Sequence, residues 1–352
     1  MKGRPCGVFD VKYSQDKAVL RTKTHWTLFI LFLIFLFTMP LYLNDHLLSL
    51  GVIIGTTVIA MFGVQIMVGY TMQITLGHAG FVGFGAYVSA LLTHHLGWNF
   101  FFALPVAGLG AAMYGLLIGT STVRCKGLYM VIPTISAHFI FFYLVNEVFK
   151  KWTFGAEGIE CASPVLFGFV FDTDVSYFYL VAFIAVIMGI GAKNLVRTKT
   201  GRAFVAIRDN DISAEVMGID IFRYKLLSFA IGNFYAGIGG ALWGHYVTYI
   251  NTEFFPILDT VYYVAFLIVG GLGTIMGAVF AAFFWRLLGE GVNYVAPVLD
   301  SMLSGTGGNI VSSMGLITFA VVTMLFLIFE PRGIAHRWEL FKHSYRLHPF
   351  NY

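Results

Sequence analysis

Six charged side chains fall within one short stretch: Arg202, Arg208, Asp209, Asp211, Glu215 and Asp220 in GRAFVAIRDNDISAEVMGID, residues 201–220. The stretch holds no His or Cys. Its chemistry is therefore that of pairing and docking rather than of an activated nucleophile, which needs an adjacent base. A second set is Arg286 and Glu290, spaced i, i+4 inside an apolar run, which pairs them on one helix face. Charges placed so default to a functional reading, and a purely structural pair reads equally well. A third set is Gln73, Thr75 and His78, lying among Gly69, Gly77, Gly80, Gly83 and Gly85. Glycine at that density breaks or narrows a helix, and broken helices in transporters turn backbone groups toward a solute path. The competing reading is close Gly-on-Gly packing with the imidazole satisfied by a neighbouring carbonyl.

Other chemistries are excluded by what the chain lacks. Its ten histidines are scattered, with His94-His95 the one adjacent pair, so a membrane enzyme with a clustered site is disfavoured. Cys6, Cys125 and Cys161 show no CxxC or Cys/His spacing, and neither a disulfide framework nor a metal site is indicated. No GxxxxGK[ST] phosphate loop occurs, so ATP hydrolysis by that route is not available to this chain.

The elements that carry these residues must live in a bilayer. Of 352 residues 58% are hydrophobic and 11% charged, with mean hydropathy +0.79; a soluble domain carries roughly 25% charged residues. The expected fold class is an all-α polytopic membrane protein of about ten transmembrane helices, some broken or re-entrant, with a cytoplasmic coupling segment. At about 20 apolar residues per crossing, spans are predicted near 26–43, 48–69, 79–96, 100–123, 127–148, 175–196, 225–249, 257–270, 274–295 and 310–330. Nineteen of the 22 Lys and Arg then fall on one side, leaving Lys150, Lys151 and Arg286. The positive-inside rule makes that side cytoplasmic. The opposite loops hold Asp45, Glu157, Glu160, Asp172, Asp174, Glu253 and Asp300, and the spans hold almost no acid beyond Glu290. The first 25 residues carry six Lys/Arg with no small-residue cleavage site after the apolar run, which reads as a first span rather than a leader. The expected division is a cytoplasmic arm at 1–25, a transmembrane domain at 26–330 with the coupling segment at 200–220, and a cytoplasmic tail at 331–352. The Gly270-Gly271-Leu272-Gly273 break reads either as a turn or as a kink in one long helix.

Within the polar island two short helices are predicted. Ala203, Phe204 and Ile207 recur at helical spacing, Asp209-Asn210-Asp211 can cap a second turn, and Ile212, Val216 and Met217 line one side before Gly218, a natural C′ residue. Short amphipathic helices can seat apolar anchors in a partner's groove; a basic loop resting on anionic lipid is the alternative. His138 and Asn233 are expected to hydrogen-bond between helices.

The island and its continuation to Tyr246 resemble the matching region of the permeases of branched-chain amino acid ABC importers, the LivM-type family. Three more stretches agree in order and spacing: GYTMQITLGHAGFVGFGAYVSALL (69–92), RCKGLYMVIPTISAHF (124–139) and IVGGLGTIMGAVF (268–280). The resemblance covers roughly residues 50–290. It implies that the island couples to an ATPase through Gly201, Arg202, Ala203, Arg208, Asp209, Asn210, Ala214, Glu215 and Gly218. It also implies a translocation path at Gln73, Thr75, Gly77, His78 and Gly80. Trp152, Gly155, Glu157, Gly158 and Ile159 resemble the family's outer segment, which would meet a substrate-binding protein. The Leu-Pro that often ends the broader importer pattern has no counterpart here.

The implied function is the permease subunit of an ATP-driven importer for branched-chain amino acids. The implied partners are a second, related permease in a heterodimer, two ABC ATPases, a periplasmic substrate-binding protein and the lipid bilayer, with no nucleic acid. No cofactor is expected on this chain; ATP and Mg belong to the ATPases. The implied location is the bacterial inner membrane, with both termini cytoplasmic. Importers of the same class for urea, short amides or aromatic acids remain open, as does an ion-coupled secondary carrier.

Overall fold

The structure, a computed structural model, describes residues 23–125, 127–166, 168–302 and 309–347. The expected cytoplasmic arm therefore lies almost wholly outside the described residues, as does the end of the tail. The helices, in chain order, begin with α1 (Lys23–Thr38) and α2 (Asp45–Val64), which runs on through a π-turn at Gln65–Gly69. Next come α3 (His78–Leu96), α4 (Phe100–Thr122) and α5 (Val131–Tyr143), the last followed by a π-turn at Leu144–Val148. They continue with α6 (Asp174–Arg197), α7 (Lys199–Asp209), α8 (Asp211–Val216) and α9 (Ile221–Val247). The last four are α10 (Ile257–Gly270), α11 (Ile275–Met302), α12 (Asn309–Phe329) and α13 (Ile334–Leu347).

Polar residues set the boundaries. Pro40 sits in the short turn that ends α1, where its missing N–H prevents continuation. Gly97, at φ +62°, closes α3 in the left-handed region, and the Asn99 side chain accepts the Phe101 N–H to open α4.

Among the described residues seven helices are long and apolar enough to cross a membrane: 45–69, 100–122, 131–148, 174–197, 221–247, 252–270 and 275–295. A pair at 315–329 and 334–342, bent by 42°, would make eight. The expected count of about ten is thus not met, and the shortfall has two places. The apolar run of α1, Trp26–Leu41, is shorter than the about 20 residues of a typical crossing. The hydropathy of α3 is diluted by His78, Ser89, Thr93, His94, His95 and three glycines. The Gly270–Gly273 break is a turn between two spans, with Gly271 and Gly273 both at positive φ.

The core is centred on α9, which packs against α2, α3 and α4. A Cβ on Gly85 would overlap the backbone of Gly237, so α3 and α9 cross with their main chains in contact. Small residues give membrane helices this approach, and dispersion contact then replaces the hydrophobic drive that lipid does not supply. The outward face of α4 instead leaves Phe102, Leu109, Met113 and Leu117 exposed, as a lipid-facing stripe requires.

At one end of the bundle two strands tie the 149–174 loop to α9: β1 (Ile159–Glu160) pairs antiparallel with β4 (Tyr249–Ile250). Val165–Leu166 (β2) and Phe169–Val170 (β3) close a second small ladder. His245, buried near the end of α9, bonds Ser89 Oγ at 2.8 Å through Nε2 and the Ala162 carbonyl at 2.7 Å through Nδ1. The 197–224 segment lies at the other end of α9.

Candidate functional site

The island folds as the two short helices expected, each opened by a side-chain cap. Thr198 Oγ1 accepts the Gly201 N–H at 3.4 Å for α7, and Asn210 Oδ1 accepts the Ser213 N–H at 2.9 Å for α8. Asp220 does the same for α9, accepting the Arg223 N–H at 3.0 Å. The end of α8 is a Schellman closure: the Gly218 N–H reaches the Glu215 carbonyl at 2.9 Å and the Ile219 N–H the Ala214 carbonyl at 3.0 Å, with Gly218 at φ +83°.

Its two faces differ in kind. Ala203, Phe204, Ile207 and Ala214 are buried against the bundle, and Gly201 has no room for a side chain because a Cβ would overlap the backbone of Val196. Ile212, Val216 and Met217 stand 67%, 82% and 82% exposed on the outward side. Arg202, Asp209, Asn210, Glu215 and Gly218 are exposed around them. Three apolar side chains left this open on a capped, six-residue helix are what a partner's groove reads.

Arg208 turns the other way. Its Nη1 donates to the Gly69 carbonyl at 3.2 Å, at the end of the π-turn, while Nε donates to Asp209 Oδ1 at 3.0 Å. Gly273, at φ +78°, lies beneath the same guanidinium. Gln65, at the start of that π-turn, donates through Nε2 to the carbonyls of Thr274 (2.8 Å) and Gly271 (3.3 Å). A second tie comes from Gln73, whose Nε2 lies within donating distance of Thr71 Oγ1 (2.9 Å), the Lys225 carbonyl (3.0 Å) and Ser228 Oγ (2.5 Å). The island is thus bonded through Arg208 to the end of the π-turn, while Gln73 ties the non-helical break to the start of α9 and Gln65 ties the π-turn to the 271–274 turn. Gln65 was not singled out in the sequence, although it is a lone amide in an apolar run.

The proposed path residues sit deep in the packing. Gln73, Thr75 and His78 are at most 1% exposed. The Leu76 N–H is taken by Thr134 Oγ1 at 3.1 Å, and Gly77 is pressed against the Thr134 carbonyl. Gly80 faces His138, whose Nδ1 lies 3.0 Å from where a Cβ would stand. His78 donates from Nε2 to the Ala60 carbonyl at 3.1 Å and meets Tyr263 edge-on at 5.0 Å.

Beside them opens a cavity of about 90 Å³ between α2, α3, α9, α10 and α11. From α3 it takes Ala79 and Val82 rather than His78. Its charged members are Asp259 and Arg286. Two expectations are corrected here. Arg286 and Glu290 do not pair: the Arg286 Nε–H goes to Thr57 Oγ1 at 2.9 Å and Glu290 meets His46 Nε2 at 2.8 Å, because helix packing offers each a partner on α2. Glu290 is also not nearly alone among acids, since Asp259 stands in the first turn of α10. A further correction concerns Asn233 and His138: both polar atoms of the Asn233 side chain and the His138 Nδ1 are without hydrogen-bond partners among the described residues. Asn233 is instead packed face-on against Gly115.

A bundle with seven or eight long apolar helices among the described residues fits a multi-pass membrane protein. Residues 46–329 match the family described as "Branched-chain amino acid transport system / permease component", and the chain belongs to it. Among curated relatives, the high-affinity branched-chain amino acid transport system permease protein LivM of Escherichia coli strain K12 is 31% identical over 250 residues, 64% of this chain and 58% of the relative. LivM of Salmonella typhimurium aligns to the same extent. The chain thus covers under two thirds of these relatives' length. The autoinducer 2 import system permease protein LsrC of Enterobacter sp. strain 638 is 26% identical over 70% of this chain and 71% of its own. No solved structure matches.

Proposed function

We propose that the chain is a permease subunit of an ATP-driven importer for branched-chain amino acids, in which α7 and α8 receive an ATPase subunit. The observation that carries this reading is the construction of the island. Ile212, Val216 and Met217 point away from the bundle while Arg208 and Gln73 on or beside the same segment bond the membrane break. A push on the island therefore reaches Gly69 through Arg208 of α7, and reaches Gln73 through the start of α9. The chain supplies position and hydrogen bonds; nucleotide and Mg are bound and hydrolysed on separate ATPase chains.

In this reading the island faces the cytoplasm with both termini, α1 and α3 complete ten crossings, and the 149–174 loop faces a periplasmic binding protein. A second permease of related fold completes the membrane unit in the bacterial inner membrane. The solute follows the LivM relatives, and relatives named for autoinducer 2 import make a wider solute panel part of the test.

The test is reconstitution. In proteoliposomes the chain with its partner permease, two ATPases and binding protein takes up leucine, isoleucine or valine only with ATP. The same membranes without ATPases take up none. Nucleotide-free uptake at full rate, abolished by an uncoupler, would replace this reading with an ion-coupled carrier.

A further inference from the structure

We infer that the cavity bounded by Asp259 and Arg286 is a transient binding site for a zwitterionic α-amino acid with an aliphatic side chain, on its way from the outer face inward. This rests on the importer reading above and names a place for the solute within it. The lining is mixed. Its polar members include Asp259 from α10, Arg286 from α11, and Thr56 and Thr57 from α2. Its apolar members include Trp243, Phe254 and Phe255 with Ala60 and Val82.

The two charges line the same space, and no ion pair joins them among the described residues. Arg286 is held from one side only. Its Nε–H bonds Thr57 and its guanidinium lies 4.4 Å over the Trp285 ring, while its terminal nitrogens donate no hydrogen bond among the described residues. An ammonium and a carboxylate separated by one carbon would span such a pair, neutralising both charges at once. Both side chains are half-buried, and charges inside a membrane bundle mark solute pathways by default. The aromatic lining, where Trp243 stands edge-on to Phe255 at 5.4 Å, offers the side chain a dry surface.

Size agrees. A water needs about 10–15 Å³ of such space and occupies roughly 30 Å³ of liquid, so 90 Å³ holds about six waters, or roughly 180 Å³ of displaced liquid. That is the scale of one small amino acid. The position agrees as well: Phe254 and Phe255 follow directly on β4, at the end of the bundle carrying the 149–174 loop. Tyr263 lines the cavity and meets the His78 ring at 5.0 Å, which places the start of α3 beside the cavity.

The experiment uses the assembled importer in nanodiscs, without binding protein, and saturation-transfer NMR with millimolar L-leucine, 4-methylpentanoate (no ammonium) and 3-methylbutylamine (no carboxylate). L-Leucine gives a signal that either analogue displaces about tenfold less well or worse. Asp259→Asn and Arg286→Gln each lose it, and Arg286→Lys keeps part of it. In proteoliposomes both single variants lower leucine uptake about tenfold or more. The double variant Asp259→Asn with Arg286→Gln stays as low. Recovery of uptake in the double variant would show that the charges only neutralise each other, and overturns the site. So does leucine uptake within about twofold of wild type in both single variants. A wild-type importer that carries no aliphatic amino acid fails the importer reading instead, a result separate from these.

Discussion

The island at 199–220 and the glycine-rich element at 72–85 are equally distinctive as sequence, yet the protein builds them in opposite ways. The island has few neighbours, closes its own helix ends with side chains and Gly218, and turns three apolar side chains outward. The glycine-rich element is mostly packed inside: Gln73, Thr75 and His78 are buried, and Gly77, Gly80 and Gly85 each abut another helix. A locally self-sufficient segment tolerates change and waits for a partner. A segment defined by close approach tolerates none. Arg208 bonds the Gly69 carbonyl just before the glycine-rich element, and Gln73 bonds the start of α9 just after the island, so each region is tied to the flank of the other.

Substitution separates these roles, and the largest effect falls on the packed side. Gly85→Leu forces a branched side chain into the Gly237 backbone, costing upwards of about 3 kcal/mol of overpacking. No monodisperse protein is expected after detergent extraction; a normal elution profile with wild-type melting would refute close packing. On the island, Val216→Asp with Met217→Asp adds charge to side chains that are 82% exposed. The variant permease should melt within about 2 °C of wild type, since surface changes stay within about 0.5 kcal/mol, yet fail to co-purify with its ATPases. Retained co-purification would remove α8 as the docking surface. Between the two regions, Arg208→Ala deletes the bond to the Gly69 carbonyl. Complex assembly and ATP hydrolysis persist while uptake per ATP falls about tenfold, as expected for losing a charged hydrogen bond. Unchanged stoichiometry would show that the tie transmits nothing.

How much of this was legible follows from the range of the forces involved. The island's two helices, the Asn210 cap and the Gly218 closure are set by residues within four positions of one another, and the sequence states them outright. Apolar runs were legible for the same reason, since hydropathy is summed locally. The errors came where a local pattern met distant partners. Spacing placed Arg286 and Glu290 on one face, but α2 supplied each with a different neighbour, Thr57 and His46. Asn233 carries an amide that should bond across helices, and Gly115 meets it with a bare Cα instead. The cavity joins five helices that are remote in sequence, so no spacing rule could pair Asp259 with Arg286.

His78 tests whether the buried element carries solute or only holds helices together. His78→Ala removes the Nε2 bond to the Ala60 carbonyl and the edge contact with Tyr263, a loss of about 1–3 kcal/mol. Packing alone predicts lower melting with uptake per folded protein unchanged. Uptake that falls further than the folded fraction would give the imidazole a part in the path.

The smallest effect expected is at Gly218, and it isolates backbone geometry from contact. Nothing lies within 4 Å of where its Cβ would stand, yet its φ is +83°. A β-branched residue there pays the cost of the left-handed region, about 1–2 kcal/mol, whereas Asn visits that region more readily. Gly218→Val should therefore loosen the end of α8 and weaken ATPase co-purification several-fold, with Gly218→Asn close to wild type. Equal behaviour of the two would mean that the partner holds α8 in place whatever its own closure does. The island would then differ from the glycine-rich element only in exposure, because its order would come from outside the chain.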